Sequence, residues 1–253
     1  MRIARAAIDD QPTFGLVDDE TFTEIHGDPF YQGIQPTSTT HQVADIRLVA
    51  PIIPRSKIIG VGRNYLDHAH ELGNEVPTFP MLFFKPNTTV VGPGDPVTLP
   101  SWSEEVSYEA ELAVVIRRIC KEVPVEKVPE VVFGYTVAND LTARDIQRAE
   151  NQWARAKGFD GSCPLGPWIE TELDVEDAEV RSSVNGEVRQ EGNTSQMVFG
   201  VADLVAEISR AFTLLPGDVI LTGTPAGVGT IEDGDRVECE VEGIGTLTTL
   251  IRR

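Results

Sequence analysis

Short apolar runs separated by turn-forming residues recur along this chain, and this pattern predicts a protein built mainly from β-strands. Residues 111–116 read Glu-Leu-Ala-Val-Val-Ile, which predicts a buried strand, and residues 131–137 predict another. Asn185-Gly186 lies between Ser-Val and Glu-Val pairs, and this predicts a two-residue hairpin turn. We therefore expect many antiparallel strands joined by short turns.

Helical periodicity is found at residues 125–132, 140–153 and 201–211. Because strands and helices do not alternate regularly, the pattern predicts an α+β fold that is mainly β, rather than a parallel α/β sheet. Pro51 and Pro54 interrupt the chain before a new buried strand begins at Lys57, and this predicts a boundary near residue 50 that ends a small N-terminal β-rich segment over residues 1–50. The main domain is then expected over residues 51–253.

Composition narrows the function classes. The formal net charge of −19 argues against nucleic acid and anionic membranes as partners, but it permits an anionic substrate where a metal and arginines invert the potential locally. No window approaches about 18 consecutive apolar residues, so no transmembrane helix is expected. The N-terminus shows no apolar signal segment, and Cys120, Cys163 and Cys239 form no CxxC pair. We expect a cytoplasmic protein with reduced thiols.

Two carboxylates, Glu109 and Glu111, lie at the start of the apolar run. Side chains at i and i+2 of a strand point to the same face, so these two carboxylates should lie side by side. If they are buried, their repulsion calls for a cation, and a divalent metal is one answer. The alternative is a pair of glutamates on the solvent-facing side of an amphipathic strand.

A second candidate site is His68 with Glu71, which one helical turn would bring together. A carboxylate beside an imidazole raises its basicity, or the pair activates a water molecule. A polar surface helix would also carry such residues.

A third candidate site follows the strand over residues 131–137. If a helix begins at Asp140, then Arg144 and Gln147 share its face and could hold a metal and a carboxylate substrate together. The alternative is a helix-capping aspartate with an i, i+4 ion pair. The glycine-rich residues 221–229 lack the ending of a P-loop, so we expect a tight turn whose amides and hydroxyls meet a small oxyanion.

Together these motifs resemble the fumarylacetoacetate hydrolase family over about residues 52 to 250, with an N-terminal β extension as in its shorter bacterial members. The resemblance implies a mixed β-sandwich roll and a homodimer. The matching blocks are Gly62-Arg63-Asn64-Tyr65, Asp67-His68, Glu71, Phe84-Lys85-Pro86, Tyr108-Glu109-Ala110-Glu111-Leu112, Asn139-Asp140, Ala143-Arg144-Asp145, residues 152–160 and residues 221–229.

The resemblance also implies roles for individual residues. Glu109, Glu111 and Asp140 would hold a divalent metal, and an all-carboxylate site suits Mg²⁺ or Mn²⁺, with Ca²⁺ as an ion that a crystal could hold instead. His68 and Glu71 match the family's water-activating pair. The remaining matches are a catalytic Lys157 and the substrate-binding residues Arg63, Tyr65, Arg144, Gln147 and Thr224.

These roles imply an enzyme that forms an enolate from a 2-oxo or 2,4-dioxo acid, a small-molecule carboxylate. The leading expectation is C–C bond cleavage, by acylpyruvate hydrolysis or oxaloacetate decarboxylation. The alternative is an isomerase of the 2-hydroxyhepta-2,4-diene-1,7-dioate or 5-carboxymethyl-2-hydroxymuconate type, which belongs to aromatic catabolism. A protein that binds carboxylates or Ca²⁺ without catalysis is a further alternative.

Overall fold

The computed structural model describes residues 1–71 and 77–253, apart from the side chains of residues 68–70. In the N-terminal third the strands are β1 (Arg2–Ile8), β2 (Gln11–Asp18), β3 (Thr21–Ile25), β4 (Pro36–Gln42), β5 (Arg47–Val49), β6 (Ile58–Gly62) and β7 (Met81–Lys85). They are followed by β8 (Val90–Val91), β9 (Pro96–Thr98), β10 (Val106–Ser107), β11 (Ala110–Ile116), β12 (Val132–Asn139), β13 (Thr142–Ala143) and β14 (Cys163–Glu170). The last strands are β15 (Glu179–Val184), β16 (Glu187–Asn193), β17 (Val219–Leu221), β18 (Arg236–Val241) and β19 (Gly245–Arg252).

The helices of the described chain are short. They are α1 (Pro29–Gln32), α2 (Leu66–Glu71), α3 (Arg144–Ala149), α4 (Ala154–Gly158) and α5 (Val201–Ala211). Short 3₁₀ helices cover Val43–Asp45, Asn87–Thr89, Val125–Glu130 and Thr194–Gln196. None of these helices combines the length and the apolar character that crossing a membrane requires.

A large mixed sheet organises the molecule, in the order β4-β3-β2-β1-β14-β12-β11-β17-β6-β7, with β5 beside β1 and β8 beside β14. Its pairs are antiparallel except β6 with β17 and β8 with β14. The N-terminal strands join this sheet through β1, where Ile3 lies opposite Ile169 of β14. A second sheet has the order β16-β15-β18-β19-β9, and β10 pairs with β13. This mainly β arrangement with few helices confirms the expected fold class.

Strand β11 is apolar on both faces because a core lies on each side of the large sheet. Leu112 and Val114 belong to the larger core, which packs against the second sheet. Ala113 and Val115 belong to a smaller core on the opposite face. Since side chains alternate along a strand, the face of Ala113 and Val115 is also the face of Glu111.

The local predictions had mixed outcomes. The helix over residues 201–211 and the Asn185-Gly186 hairpin are confirmed. Residues 125–132 instead form a 3₁₀ turn at Val125–Glu130, which contains Pro129, a residue that cannot donate a helical hydrogen bond. The helix expected over residues 140–153 was wrong at both ends, because residues 142–143 pair with β10 and α3 covers only Arg144–Ala149.

Candidate metal centre

Three carboxylates converge where β11 begins and β12 ends. Glu109 directly precedes β11, Glu111 is its second residue, and Asp140 directly follows β12. The two strands are antiparallel, with Ala110 opposite Asn139, so the start of one meets the end of the other. All three side chains are buried, and one oxygen atom from each lies within 4.8 Å of the others. The paired glutamates are therefore not on a solvent-facing side.

Three cationic side chains surround these carboxylates. Lys85, at the end of β7, donates from Nζ to Oδ1 of Asp140 at 2.6 Å and also to the main-chain carbonyl of Lys157. Lys157, on α4, donates to Oδ2 of Asp140 at 2.6 Å and to Oε2 of Glu109 at 2.7 Å. Arg144, the first residue of α3, forms an ion pair with Oε1 of Glu109. The cluster thus sets three positive charges against three negative ones.

Electrostatics separate Glu111 from its two neighbours. Its carboxylate accepts a hydrogen bond from the Gly223 N–H at 2.6 Å, and no described cation forms an ion pair with it. Burial, followed by the charges of Asp140 and Glu109, raises the pKa of Glu111 well above its usual range. Burial alone would lower the pKa of Lys157, but the charges of Asp140 and Glu109 outweigh it and raise that pKa. Lys157 therefore stays protonated, and Glu111 is the carboxylate of the three that has no ion-pair partner among the described residues.

The donor set fits a hard divalent cation. Three carboxylates with no histidine or cysteine among them are the ligands that Mg²⁺, Mn²⁺ or Ca²⁺ prefers. The Tyr65 hydroxyl is buried without a hydrogen-bond partner among the described residues. Burial raises the pKa of Tyr65, and the charge of Glu111 raises it further. A polar ligand of Glu111 would supply the partner that this hydroxyl lacks. A metal ion could be held by Glu109, Glu111 and Asp140.

A cleft of about 270 Å³ opens above Glu109 and Glu111. Four cationic side chains line it although the whole chain is strongly acidic. Arg144 donates to Oε1 of Gln147 at 2.9 Å, which fixes these two side chains side by side. The full lining is Val61, Gly62, Arg63, Glu109, Glu111, Arg144, Gln147, Arg148, Trp153, Lys157 and Thr224. The predicted residues Arg63, Arg144, Gln147, Lys157 and Thr224 therefore share one cleft with two of the three carboxylates.

The loop after β17 closes one side of the cleft. The Thr222 hydroxyl donates to the Leu112 carbonyl and the Thr224 hydroxyl to the Ala110 carbonyl, each at 2.8 Å. Gly223 has a φ of +95°, which the absence of a side chain permits, and its N–H points at Glu111. The oxyanion met by an amide of this turn is therefore a carboxylate of the protein itself.

The predicted pair of His68 and Glu71 lies on α2. The His68 side chain lies outside the described residues. The Glu71 carboxylate accepts from the Gly227 N–H at 3.1 and 3.3 Å, which places it against the loop after β17. Tyr65, at the start of this segment, lines a neighbouring cavity of about 280 Å³ rather than the cleft above Glu109.

One local prediction at this site was wrong. Asp140 does not begin a helix that also carries Arg144 and Gln147, because α3 starts at Arg144 with Ala143 as its N-cap. Arg144 consequently pairs with Glu109, across the cluster, instead of with Asp140.

Lys85 was not predicted as a site residue. The residues that it follows, 81–84, form an apolar strand, and a lysine at the end of such a strand usually reaches solvent. Its full burial becomes evident only when β7 is placed beside β6 in the large sheet.

Comparison with known proteins identifies the family. A family model described as fumarylacetoacetate (FAA) hydrolase C-terminal matches residues 57–252, and one described as Rv2993c-like, N-terminal matches residues 1–51. The chain belongs to the fumarylacetoacetate hydrolase family. The family resemblance seen in the sequence is therefore confirmed.

The chain is similar to proteins that are named as isomerases and as an oxaloacetate tautomerase. The solved structure of 5-carboxymethyl-2-hydroxymuconate delta-isomerase from Mycobacterium smegmatis is 48% identical, covers 100% of both chains and has a TM-score of 0.93. That of 2-hydroxyhepta-2,4-diene-1,7-dioate isomerase from Mycobacterium marinum is 46% identical, with a TM-score of 0.93 and coverage of 100% of this chain and 98% of that one. The mitochondrial oxaloacetate tautomerase FAHD2A of Homo sapiens is 44% identical over 81% of this chain and 69% of its own length.

Proposed function

We propose that this protein is a divalent-metal-dependent enzyme that interconverts the enol and keto forms of oxaloacetate or a closely related 2-oxo dicarboxylic acid. The observation that carries the proposal is the group of three buried carboxylates, two of which line a cleft with four cationic side chains. In a chain of net charge −19, such a local concentration of positive charge favours binding of an anion.

The roles of the residues follow from their contacts. A cation held by Glu109, Glu111 and Asp140 would supply Lewis acidity toward a 2-oxo carboxylate. Lys157 keeps its proton, so its Nζ acts as a hydrogen-bond donor to developing negative charge and not as the base. Arg144, held by Gln147, offers a guanidinium group to a substrate carboxylate. His68 is our candidate for the group that moves the proton.

The relatives support this substrate class. They are named as a tautomerase of oxaloacetate, an isomerase of an unsaturated dicarboxylate and an isomerase of an unsaturated tricarboxylate. Each of these reactions moves a proton within a conjugated acid, and none requires a C–C bond to break. The shared chemistry is the reason that we place tautomerisation first.

C–C bond cleavage of an acylpyruvate or of oxaloacetate is the second candidate. The pair of His68 and Glu71 in one helix favours hydrolysis, because attack of water on a ketone needs an activating base, whereas decarboxylation needs no water. Cleavage and tautomerisation share the enolate, so the same cleft serves either reaction.

A direct assay separates these reactions. Freshly dissolved enol-oxaloacetate is mixed with the protein in Mg²⁺ or in EDTA, and the ultraviolet absorbance of the enol is followed while lactate dehydrogenase reports any pyruvate. We expect a faster loss of enol that depends on Mg²⁺ and is not accompanied by pyruvate. Magnesium-dependent pyruvate from oxaloacetate or acetylpyruvate without faster tautomerisation would establish the second candidate. Turnover of a hydroxymuconate-type diene alone would establish the isomerase, and inactivity toward all of them would overturn the enzyme proposal.

Glu111→Gln provides the matched inactive variant. It removes a buried charge that Glu109 and Asp140 repel, while an amide oxygen still accepts from the Gly223 N–H. We therefore expect it to unfold at no lower urea concentration than the unaltered protein in EDTA. Its loss of magnesium-dependent turnover then reports on the site and not on folding.

A further inference from the structure

The N-terminal end of β11, which carries Glu111, has β12 as a neighbour on one side only. On the other side its main chain forms hydrogen bonds with side chains. Strand β17 pairs with β11 from Ala113 to Val115 and ends at Leu221. Beyond that point, the Thr222 N–H still donates to the Leu112 carbonyl at 3.1 Å, and hydroxyl groups of the loop donate to the carbonyls of Leu112 and Ala110, as described above. The Ala110 N–H donates to Oε1 of Gln190 at 3.0 Å. Opening the sheet here leaves space for the cleft, and these side chains replace the missing strand.

Gln190 reaches this point from β16, an edge strand of the second sheet. It is fully buried, and every hydrogen-bonding position of its amide is used. Its Nε2 donates to Oγ1 of Thr224 at 2.7 Å and to the Pro225 carbonyl at 2.8 Å. Its Oε1 accepts from Ala110 and from the Ser182 hydroxyl, the latter at 2.8 Å. An amide bound on all sides has one orientation.

We propose that Gln190 is a positioning residue for the carboxylate cluster and for Thr224. Ala110 lies between Glu109 and Glu111 in the chain, so holding its N–H fixes the backbone from which both carboxylates project. The effect of Gln190 on the substrate rests on the proposed function, whereas its effect on metal binding is measured without substrate.

The same network settles what Thr224 offers to the cleft. Its hydroxyl donates its proton to the Ala110 carbonyl and accepts from Gln190, so that proton is committed within the protein. The Thr224 hydroxyl therefore has no proton left to donate to a bound carboxylate. The main-chain N–H of Thr224 has no acceptor among the described residues.

Titration calorimetry with Mn²⁺ in the absence of substrate tests the positioning role. Gln190→Met keeps a similar volume and removes all four hydrogen bonds, so we expect Mn²⁺ affinity to fall about 10- to 100-fold, as for other residues that orient metal ligands. Ser182→Ala is the matched control, because it removes one bond of the same amide and leaves those to Ala110 and Thr224. Its Mn²⁺ affinity should equal that of the unaltered protein. Unchanged affinity in Gln190→Met, or an equal loss in Ser182→Ala, overturns the proposal.

Thr224→Val keeps the test valid if Gln190→Met does not fold. It is isosteric, and it removes both the acceptor for Gln190 and the donor to Ala110. We expect about tenfold weaker Mn²⁺ binding without substrate, restored in Thr224→Ser, which keeps the hydroxyl. A hydroxyl that served only the substrate would leave Mn²⁺ binding unchanged in Thr224→Val, and this result would also overturn the proposal.

The two proposals fail in distinguishable ways. If the unaltered protein binds Mn²⁺ but accelerates none of the reactions described above, the proposed function is wrong, while the calorimetric result for Gln190 stands. If the protein does not bind Mn²⁺, both proposals are wrong.

Discussion

Removal of the Lys85 ammonium tests the charge balance of the carboxylate cluster most directly. Lys85→Met keeps the apolar part of the side chain and removes the donor to Oδ1 of Asp140 and to the Lys157 carbonyl. Both Lys85 and Asp140 are inaccessible to solvent. The variant therefore leaves a buried carboxylate oxygen and a buried carbonyl without this donor, and two cations remain for three carboxylates.

The expected cost follows from this burial. Removing one partner of a buried ion pair costs about 3–5 kcal/mol, because the other charge stays buried without compensation. Asp140 keeps the hydrogen bond from Lys157 at Oδ2, which favours the lower end of that range. We expect the free energy of unfolding to fall by about 3 kcal/mol in EDTA. A bound divalent cation restores positive charge beside Asp140, so the loss should be smaller in saturating Mg²⁺.

Urea denaturation in EDTA and in Mg²⁺ measures this difference. Lys57→Met is the matched control, since its Nζ forms an equally short 2.6 Å bond to the buried carboxylate of Asp218, away from the cluster. We expect that control to lose the same stability in both solutions. If Lys85→Met also loses the same amount in both, Mg²⁺ does not act at Asp140 and the reasoning is refuted.

Further predictions concern the turn, the thiols and the assembly. Gly223→Ala should weaken Mn²⁺ binding in calorimetry more than Gly186→Ala. The backbone has a positive φ at both positions, but an added Cβ would lie 2.8 Å from the Cβ of Asn64 at position 223 and would meet nothing within 4 Å at position 186. Equal affinities would contradict this. Burial raises the pKa of Cys163 to about 12 and also raises that of Cys239. A thiol reagent at about pH 8 should therefore label neither residue before urea unfolds the chain, and raising the pH should quicken the labelling. Labelling of Cys163 or Cys239 in the folded protein as fast as that of free cysteine would refute this prediction. The homodimer implied by the family is checked by sedimentation equilibrium, where a monomer at all concentrations would exclude it.

Local rules were sufficient for the relative placement of the two glutamates. The alternation of a strand predicted that Glu109 and Glu111 lie on one face, but it left open whether that face is buried or exposed to solvent. Each of these statements depends on neighbours within a few residues. The same holds for the hairpin at Asn185-Gly186, where the turn type follows from two residues.

Distant strands supplied what the local pattern could not predict. Lys85 lies within hydrogen-bond distance of Asp140, although the two residues are 55 positions apart in the chain and β6, β17 and β11 lie between β7 and β12 in the sheet order. Gln190 lies in a strand whose burial pattern is mostly exposed, so its sequence is typical of an edge strand facing solvent. It is buried because the second sheet packs over the opening beside β11. Pairings of this kind depend on the whole topology and not on periodicity.

The ionised cluster is a poor way to stabilise a core, and this supports a functional origin. Replacing a buried group of ion pairs by apolar residues is often neutral or favourable, so stability alone does not account for six charged side chains at one point. Five of them are joined by ion pairs, but no described cation forms an ion pair with Glu111, and its pKa is raised first by burial and then by Asp140 and Glu109. Because its pKa is higher in the folded than in the unfolded chain, Glu111 lowers the stability of the metal-free fold as pH rises between those two pKa values, where the unfolded chain releases the proton more readily. A cation bound beside Glu111 reverses that penalty, which is why we interpret the cluster as a site completed by a metal rather than as part of the core.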